Sequence, residues 1–357
     1  MHHASARLTI ERTIASSAFA EQGLALTLAA MVSDLPGADV ALRDRLIERA
    51  AAMAPDLAAN YSGDLVDAPI PDDAAALATQ LAPVIAASGT APGLKIALLD
   101  ALCALWPHVA TSERRTMRLR FLAGCLARPA PAGSTVSAAQ LCAWQNDLPT
   151  GSCELPPSVA SLKALLSAQQ PHLAYRVIAE HLGCAMDLPT LHWVLGALSV
   201  QVMLRLRDTH GWLGQCLLGT VAGERLASHT PPEHLATLAS QLSHQLWWCH
   251  TRAALPPVRS CLDAPPQTFL AAVRGGDITA AQRAARTICA DPTRFWSEVW
   301  TLVDEAVVWE DLHWLRALMA SSAIAWRTGD AMSPDDAAAL GAVLADLSYR
   351  SRTAKVA

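Results

Sequence analysis

Alanine and leucine dominate this chain, and no alternating apolar–polar pattern of useful length interrupts them. Both residues lose little side-chain entropy in a helix, whereas a half-buried strand needs alternation with period two. Typical helix lengths then divide the chain into about twelve to sixteen helices. The sequence therefore predicts an all-α fold of stacked helical hairpins without significant β-sheet.

Helix boundaries are marked by capping residues at several places. Ser333 precedes Pro334 and two acidic residues, which is typical of a helix N-terminus. Thr230 and Pro232 predict a helix that continues to about His250. The segment Gly275–Asp277 predicts a helix end, a left-handed glycine and a new N-cap.

A faint internal repeat is the one long-range pattern in the sequence. It joins two sets of five residues at a spacing of 103 positions, namely Pro189, Thr190, Trp193, Asp208 and His210, and then Pro292, Thr293, Trp296, Asp311 and His313. His108 lies 102 positions before His210 and extends the pattern to a third copy. We interpret this as two or three weakly related modules of about 100 residues. Coincidence in a chain rich in Ala and Leu is the alternative.

Three stretches rich in Pro, Gly or Ser divide the chain, at Arg128–Ala160, Ser228–Pro232 and Leu255–Pro266. They predict an N-terminal helical module at 1–128 and a C-terminal one at 228–357. The middle module, 129–227, begins with the first of these linkers.

Composition limits the classes of partner. The net charge is −5 and no segment concentrates Lys and Arg, so we expect no nucleic-acid partner. The most apolar runs are shorter than the roughly 18 residues of a spanning helix, so we expect no transmembrane segment. Nine cysteines without a CxxC pair predict a reduced, cytoplasmic protein with buried thiols.

Hydrophobic residues make up 52% of the chain and charged residues only 17%. Two explanations fit: a large core, or apolar surface that is covered by a ligand, a partner protein or a second copy in a homo-oligomer. No motif in the sequence indicates a cofactor, so the cofactor stays unknown.

Candidate chemistry centres on the repeated histidines. Glu310 and His313 are three residues apart, so on a helix their side chains share a face and can converge on a metal or a substrate. His210 is equivalent to His313, and either imidazole can act as a general base or a metal ligand. Arg207 is the equivalent of Glu310, which argues against two symmetric metal half-sites. The alternative is that both histidines are retained for packing.

Trp296, Trp300 and Trp314 form the second group of candidates. Tryptophan offers a large flat surface and one N–H donor, so the three rings predict a pocket for an aromatic ligand. Aromatic residues at helical spacing also occur simply as core, and that interpretation stays open.

The segments Ala272–Asp277, Ala280–Ala281 and Trp309–His313 resemble a recurring unit of questin oxidase-like proteins. The resemblance implies an all-helical protein associated with oxidative cleavage of polyketide quinones. It also implies that His313, with its neighbours Glu310 and Asp311, belongs to the site.

These observations lead to a functional hypothesis. We expect a cytoplasmic helical protein that binds a bulky apolar or aromatic small molecule. As an oxidoreductase on a polyketide-like substrate, it would use His210, His313 and Glu310, with Trp296, Trp300 and Trp314 against the substrate. The alternative is a non-catalytic scaffold or structural subunit that binds a partner protein through apolar surface.

Overall fold

A computed structural model describes the chain at 38–52, 64–88, 92–126, 188–204, 210–227, 230, 232–252, 268–305, 311–329 and 331–354. Within these ranges the regular secondary structure is helical and no strand occurs, which confirms the all-α prediction. The α-helices are α1 (Val40–Ala52), α2 (Ala74–Ser88), α3 (Pro92–Leu105), α4 (Thr111–Leu126), α5 (Leu188–Met203), α6 (His210–Leu226), α7 (Pro232–Arg252), α8 (Phe269–Gly275), α9 (Ile278–Ile288), α10 (Pro292–Asp304), α11 (Asp311–Thr328) and α12 (Pro334–Ala354). None of them, over the part that the structure describes, is long and apolar enough to cross a membrane.

The capping residues act as the sequence predicts. Gly276 ends α8 with a φ of 68°, in the left-handed region that favours glycine. Asp277 then caps α9, because its Oδ1 accepts a hydrogen bond from Ala280 N at 2.9 Å. Ser333 Oγ accepts one from Asp336 N at 3.0 Å at the start of α12. Local side-chain chemistry therefore sets these helix boundaries.

The repeat coincides with two helix pairs. The bounds of α5 and α6 agree with those of α10 and α11 within two residues when shifted by 103 positions. The environments of equivalent residues differ, however: Trp193 is 50% exposed, whereas Trp296 is 2% exposed. The likeness in helix bounds does not extend to packing, and the division into three modules stays a prediction.

Helix α6 is the centre of the described bundle, in contact with α3, α5, α7, α11 and α12. Its contact with α3 is so close that a Cβ on Gly219 would lie 2.4 Å from Gly93 Cα. The backbone N–H of Gly93 donates to Gln245 Oε1 on α7 at 3.1 Å, which ties a third helix to this crossing. Glycine is required here because any side chain would separate the two backbones.

The apolar composition is accounted for largely by burial inside this bundle. Every residue of α3 except Ala104 is buried, so this helix is surrounded by protein on all sides. A helix without a solvated face needs no polar stripe. Of the two explanations for the high apolar content, a large core is the one that these helices support.

A fully buried arginine holds the segment before α2. Arg118 on α4 donates to the carbonyl oxygens of Leu65, Ala68 and Pro69 and to Gln80 Oε1, at 2.7 to 3.0 Å. Backbone carbonyls are thus satisfied without regular secondary structure. This guanidinium fixes residues 64–71 against α2 and α4.

We predict that Gly219→Ala lowers the free energy of unfolding by about 1–3 kcal/mol, because the added methyl group would overlap the backbone of α3. Urea unfolding measures the loss. Gly275→Ala is the matched control: a Cβ there meets nothing within 4 Å, so stability should be unchanged or raised by up to about 1 kcal/mol. Equal effects of the two substitutions would contradict the close crossing.

Candidate functional site

The structure places the starts of α6 and α11 at one end of the bundle. Gly214 on α6 faces Ala320 on α11: a Cβ added to Gly214 would lie 3.5 Å from the Cβ of Ala320. Eleven residues further along α6, Arg225 lies over the ring of Trp326, which is six residues beyond Ala320. The two helices therefore run in the same direction, and their N-termini lie at the same end.

This arrangement bears on the predicted histidine site. His210 begins α6, and His313 is the third residue of α11, so both positions belong to that end. His313 is half-buried. Glu310 and the side chain of His210 lie outside the described residues. Convergence of these three groups stays a prediction.

The predicted ligand-binding tryptophans are part of the core. The rings of Trp296 and Trp300 stack at 5.5 Å with 15° between their planes, and both are 2% exposed. Trp314 has no exposed surface, donates from Nε1 to the Val303 carbonyl at 2.8 Å, and is covered by the Arg49 guanidinium at 4.5 Å. A side chain without accessible surface borders no space that holds even a water molecule. A ligand would reach these rings only after displacement of the helices around them, so the geometry favours the packing interpretation.

The described cysteines are inert thiols. Cys103, Cys216, Cys249 and Cys289 are free and buried. Burial raises the pKa of Cys103 and of Cys216 to about 12, and it also raises that of Cys249. Since the thiolate is the nucleophile, none of these three is activated at neutral pH. Within the described ranges, no three His, Cys, Asp or Glu side chains are grouped as metal ligands.

The opposite end of the bundle holds a cluster that we call the arginine–tryptophan end. It consists of two arginines, two tryptophans and two aspartates, namely Arg225, Arg327, Trp193, Trp326, Asp100 and Asp336. Here α6 and α11 end while α5 and α12 begin. Helix ends bring polar groups of different helices together at this position.

Arg327 organises the first half of this end. Its Nε donates to Asp336 Oδ1 at 3.2 Å, and its Nη1 donates to the Trp193 carbonyl at 3.3 Å. The guanidinium also lies 5.6 Å from the centre of the Trp193 ring, within cation–π range. The half-exposed ring of Trp193 is thereby held by a fixed positive charge.

Arg225 organises the second half. Its guanidinium lies 4.3 Å from the centre of the Trp326 ring, and its Nε is 3.5 Å from Asp100 Oδ2. Asp100 is buried while the Arg225 side chain is 42% exposed. Burial raises the pKa of Asp100 to about 6, against the opposing effect of Arg225. This carboxyl group can therefore exchange a proton near neutral pH.

His192 lies beside this cluster, on the face of α5 that contacts α6. Its ring packs directly on the backbone of Gly223, where a Cβ would lie 2.3 Å from Cε1. Neither ring nitrogen has a hydrogen-bond partner among the residues that the structure describes. Burial lowers the pKa of His192 to about 4, so the imidazole is neutral at pH 7.

Sequence reasoning missed most of this end. The repeat indicates Trp193, but no pattern in the sequence indicates the other residues of this end, namely Asp100, His192, Arg225 and Arg327. One signal was available: Asp100 stands in the apolar stretch of α3, where a carboxylate needs a reason to be buried. The partner residues come from four other helices, so no local pattern could join them.

No family model, curated protein or solved structure matches this chain. The resemblance to questin oxidase-like proteins is thus neither supported nor contradicted by comparison, and stays a prediction.

We predict that Asp100→Asn changes the pH dependence of stability. The folded protein binds the Asp100 proton more tightly than the unfolded chain, with a pKa near 6 against the ordinary 3.8. The tighter proton binding contributes to the free energy of unfolding below pH 4, and this contribution is lost as pH rises through 6. As pH rises from 4 to 7, the free energy of unfolding of the variant should increase by up to about 3 kcal/mol relative to that of wild type. Chemical unfolding at each pH measures this difference. The exposed Asp72, changed to Asn, is the control; a variant-to-wild-type difference that is constant with pH would contradict the burial of an ionisable Asp100.

His192→Leu should act with the opposite sign. The folded pKa near 4 lies below the ordinary 6.5, so the stability contribution is present above pH 6.5 and is lost as pH falls towards 4. Over this interval the wild type should lose up to about 3 kcal/mol that the variant keeps. His234→Leu, at a half-buried position on α7, is the matched control. Parallel unfolding curves for His192→Leu and wild type from pH 7 to 4 would count against a neutral, unpartnered imidazole.

Proposed function

We propose that the protein binds a bulky aromatic small molecule with an acidic group at the arginine–tryptophan end. The observation that carries this proposal is the Trp193 ring, which is 50% exposed and is held by Arg327. Exposing a large aromatic ring costs hydration free energy, which a stacked ligand would recover.

The charges at this end support the choice of an acidic ligand. Arg225 is partly exposed and its nearby carboxylate, Asp100, has a pKa raised to about 6 by burial. Below about pH 6 Asp100 is protonated, and the Arg225 guanidinium is then left with a net positive charge for an anion. A planar acid that stacks on Trp193 has the guanidinium of Arg327 close by, 5.6 Å from the centre of the ring.

The second candidate function is a non-catalytic scaffold that binds a partner protein through apolar surface. It requires a broad exposed apolar face. Among the residues that the structure describes, the exposed large hydrophobic side chains are Trp193 and Tyr349. Two separate residues do not make such a face, so ligand binding is the preferred proposal.

The resemblance to questin oxidase-like proteins adds a reaction to the proposal, the oxidation of a polyketide-like ligand. In that reaction His210, His313 and Glu310 are the acting groups. Since His210 and His313 belong to the end of the bundle opposite Trp193, the reaction requires a second site, separate from the arginine–tryptophan end. Product formation from an anthraquinone carboxylate in air, followed by mass spectrometry, tests this part. The proposed reaction is contradicted if wild type forms no product, or if His210→Ala and His313→Ala form product as fast as wild type. A cytoplasmic location belongs to the same proposal and is supported by the four free thiols.

We predict that Trp193→Ala weakens binding of anthraquinone-2-carboxylate about tenfold, because the stacking surface is removed. Isothermal titration calorimetry measures the dissociation constant. Tyr349→Ala is the matched control, since Tyr349 is 55% exposed but lies near the other end of α12. Absence of binding to wild type, or equal loss in both variants, would count against the proposed site.

A further inference from the structure

Arg327 is held by two hydrogen bonds that use only part of its guanidinium group. Its Nε donates to Asp336 Oδ1 at 3.2 Å, and its Nη1 donates to the Trp193 carbonyl at 3.3 Å. The third nitrogen, Nη2, makes no hydrogen bond to any residue that the structure describes, and it is not buried. The side chain as a whole is only 13% exposed. An ordered arginine therefore keeps two accessible N–H donors near the Trp193 ring.

Asp336 is fixed in turn by the serine that caps α12. Ser333 Oγ donates to Asp336 Oδ2 at 2.5 Å and accepts from the Asp336 backbone N–H at 3.0 Å. Each carboxylate oxygen of Asp336 thus has its own donor, Ser333 for Oδ2 and Arg327 for Oδ1. Hydrogen bonds to both oxygens restrict the plane of the carboxylate, and so the direction in which the guanidinium points.

Packing against α5 restricts the guanidinium further. A Cβ added to Gly196 would lie 3.0 Å from Arg327 Nη1 and 3.1 Å from Thr220 Oγ1. Arg327 therefore occupies the space that a side chain on α5 would take. Because the guanidinium is already ordered, it loses little conformational entropy when a ligand binds to its free edge.

We propose that Arg327 selects an acidic ligand over its neutral analogue, and that Ser333 and Asp336 are positioning residues for this arginine. The inference rests on the proposed binding of an aromatic acid at Trp193. It assigns the acidic group of that ligand to the free Nη2 edge of Arg327, and it narrows the ligand class to planar aromatic carboxylates.

The hydrogen-bonding pattern is the physical basis of this selection. A carboxylate presents two acceptor oxygens to the Nη2 donors, and the resulting hydrogen bonds are charge-assisted. A carboxamide replaces one oxygen with an NH₂ group, which finds no acceptor on a guanidinium because arginine only donates. Asp336 balances the charge of Arg327, so the preference depends on the matched donors and acceptors more than on net charge.

Calorimetric titration with anthraquinone-2-carboxylate and with anthraquinone-2-carboxamide tests the selection. At pH 7.5 Asp100, with a pKa of about 6, is ionised beside Arg225, so its protonation does not contribute. We expect wild type to bind the carboxylate at least about tenfold more tightly than the carboxamide, and Arg327→Gln to bind both alike. Arg286→Gln is the matched control and should keep the preference, since Arg286 pairs with Asp335 and is 47% exposed.

The positioning role is tested with Ser333→Gly. Glycine keeps most of the capping free energy at the start of α12 but lacks the hydroxyl group that holds Asp336. We expect the preference for the carboxylate to fall about threefold, while the affinity for the carboxamide stays unchanged. A purely structural role of Ser333 would change the affinity for both ligands alike, which would overturn its assignment as a positioning residue.

Arg327→Lys replaces Arg327→Gln if the latter does not fold, because it keeps a positive charge opposite Asp336. A single ammonium group lacks the planar fork of arginine, so we expect the preference to be lost here too. The selection by Arg327 is refuted, with the proposed function intact, if wild type binds both ligands equally or a folded Arg327 variant keeps the preference. Failure of wild type to bind either ligand overturns the proposed function, and this inference with it.

Discussion

The close crossing of α3 and α6 is the constraint on which the described bundle depends. Gly93 and Gly219 bring the two backbones together, and Gln245 joins α7 to the same point. Once these axes are fixed, α6 has room for α5 on another side and for α11 at Gly214, where only small residues meet. Close approach multiplies dispersion contacts that are individually small. A bundle built on backbone contact also tolerates little change in volume, since interiors are packed to crystal density.

The buried ionisable groups of this apolar protein change its free energy of unfolding by different amounts as pH varies. Asp100 loses its favourable contribution as pH rises, whereas His192 loses its own as pH falls. Over the interval from about pH 4 to 6 the two effects oppose each other, so the wild-type stability should vary less than either residue alone implies. Ionisable groups that cost stability are expected where they have a function, which directs experiments to the arginine–tryptophan end of the bundle.

Helix content and helix boundaries were predictable to a useful degree. The caps at Gly276, Asp277 and Ser333 formed as predicted, because capping is a short-range interaction between a side chain and the backbone of the next turn. The tryptophans were less predictable. Trp193 and Trp296 occupy equivalent places in the repeat, yet one is half-exposed and the other is buried. Periodicity shows which residues share a helical face, but burial of that face depends on which helix packs against it.

The sequence by itself determined that the chain is helical, where several helices begin and end, and that its composition is strongly apolar. These properties follow from propensity, capping and composition, which act over a few residues or over the whole chain. Only the tertiary structure decided that the apolar helices bury one another, and that Arg225 meets Asp100 and Trp326. Such sites are assembled from helices far apart in sequence, and the direction and rotation of each helix are set by packing with its neighbours rather than by its own residues.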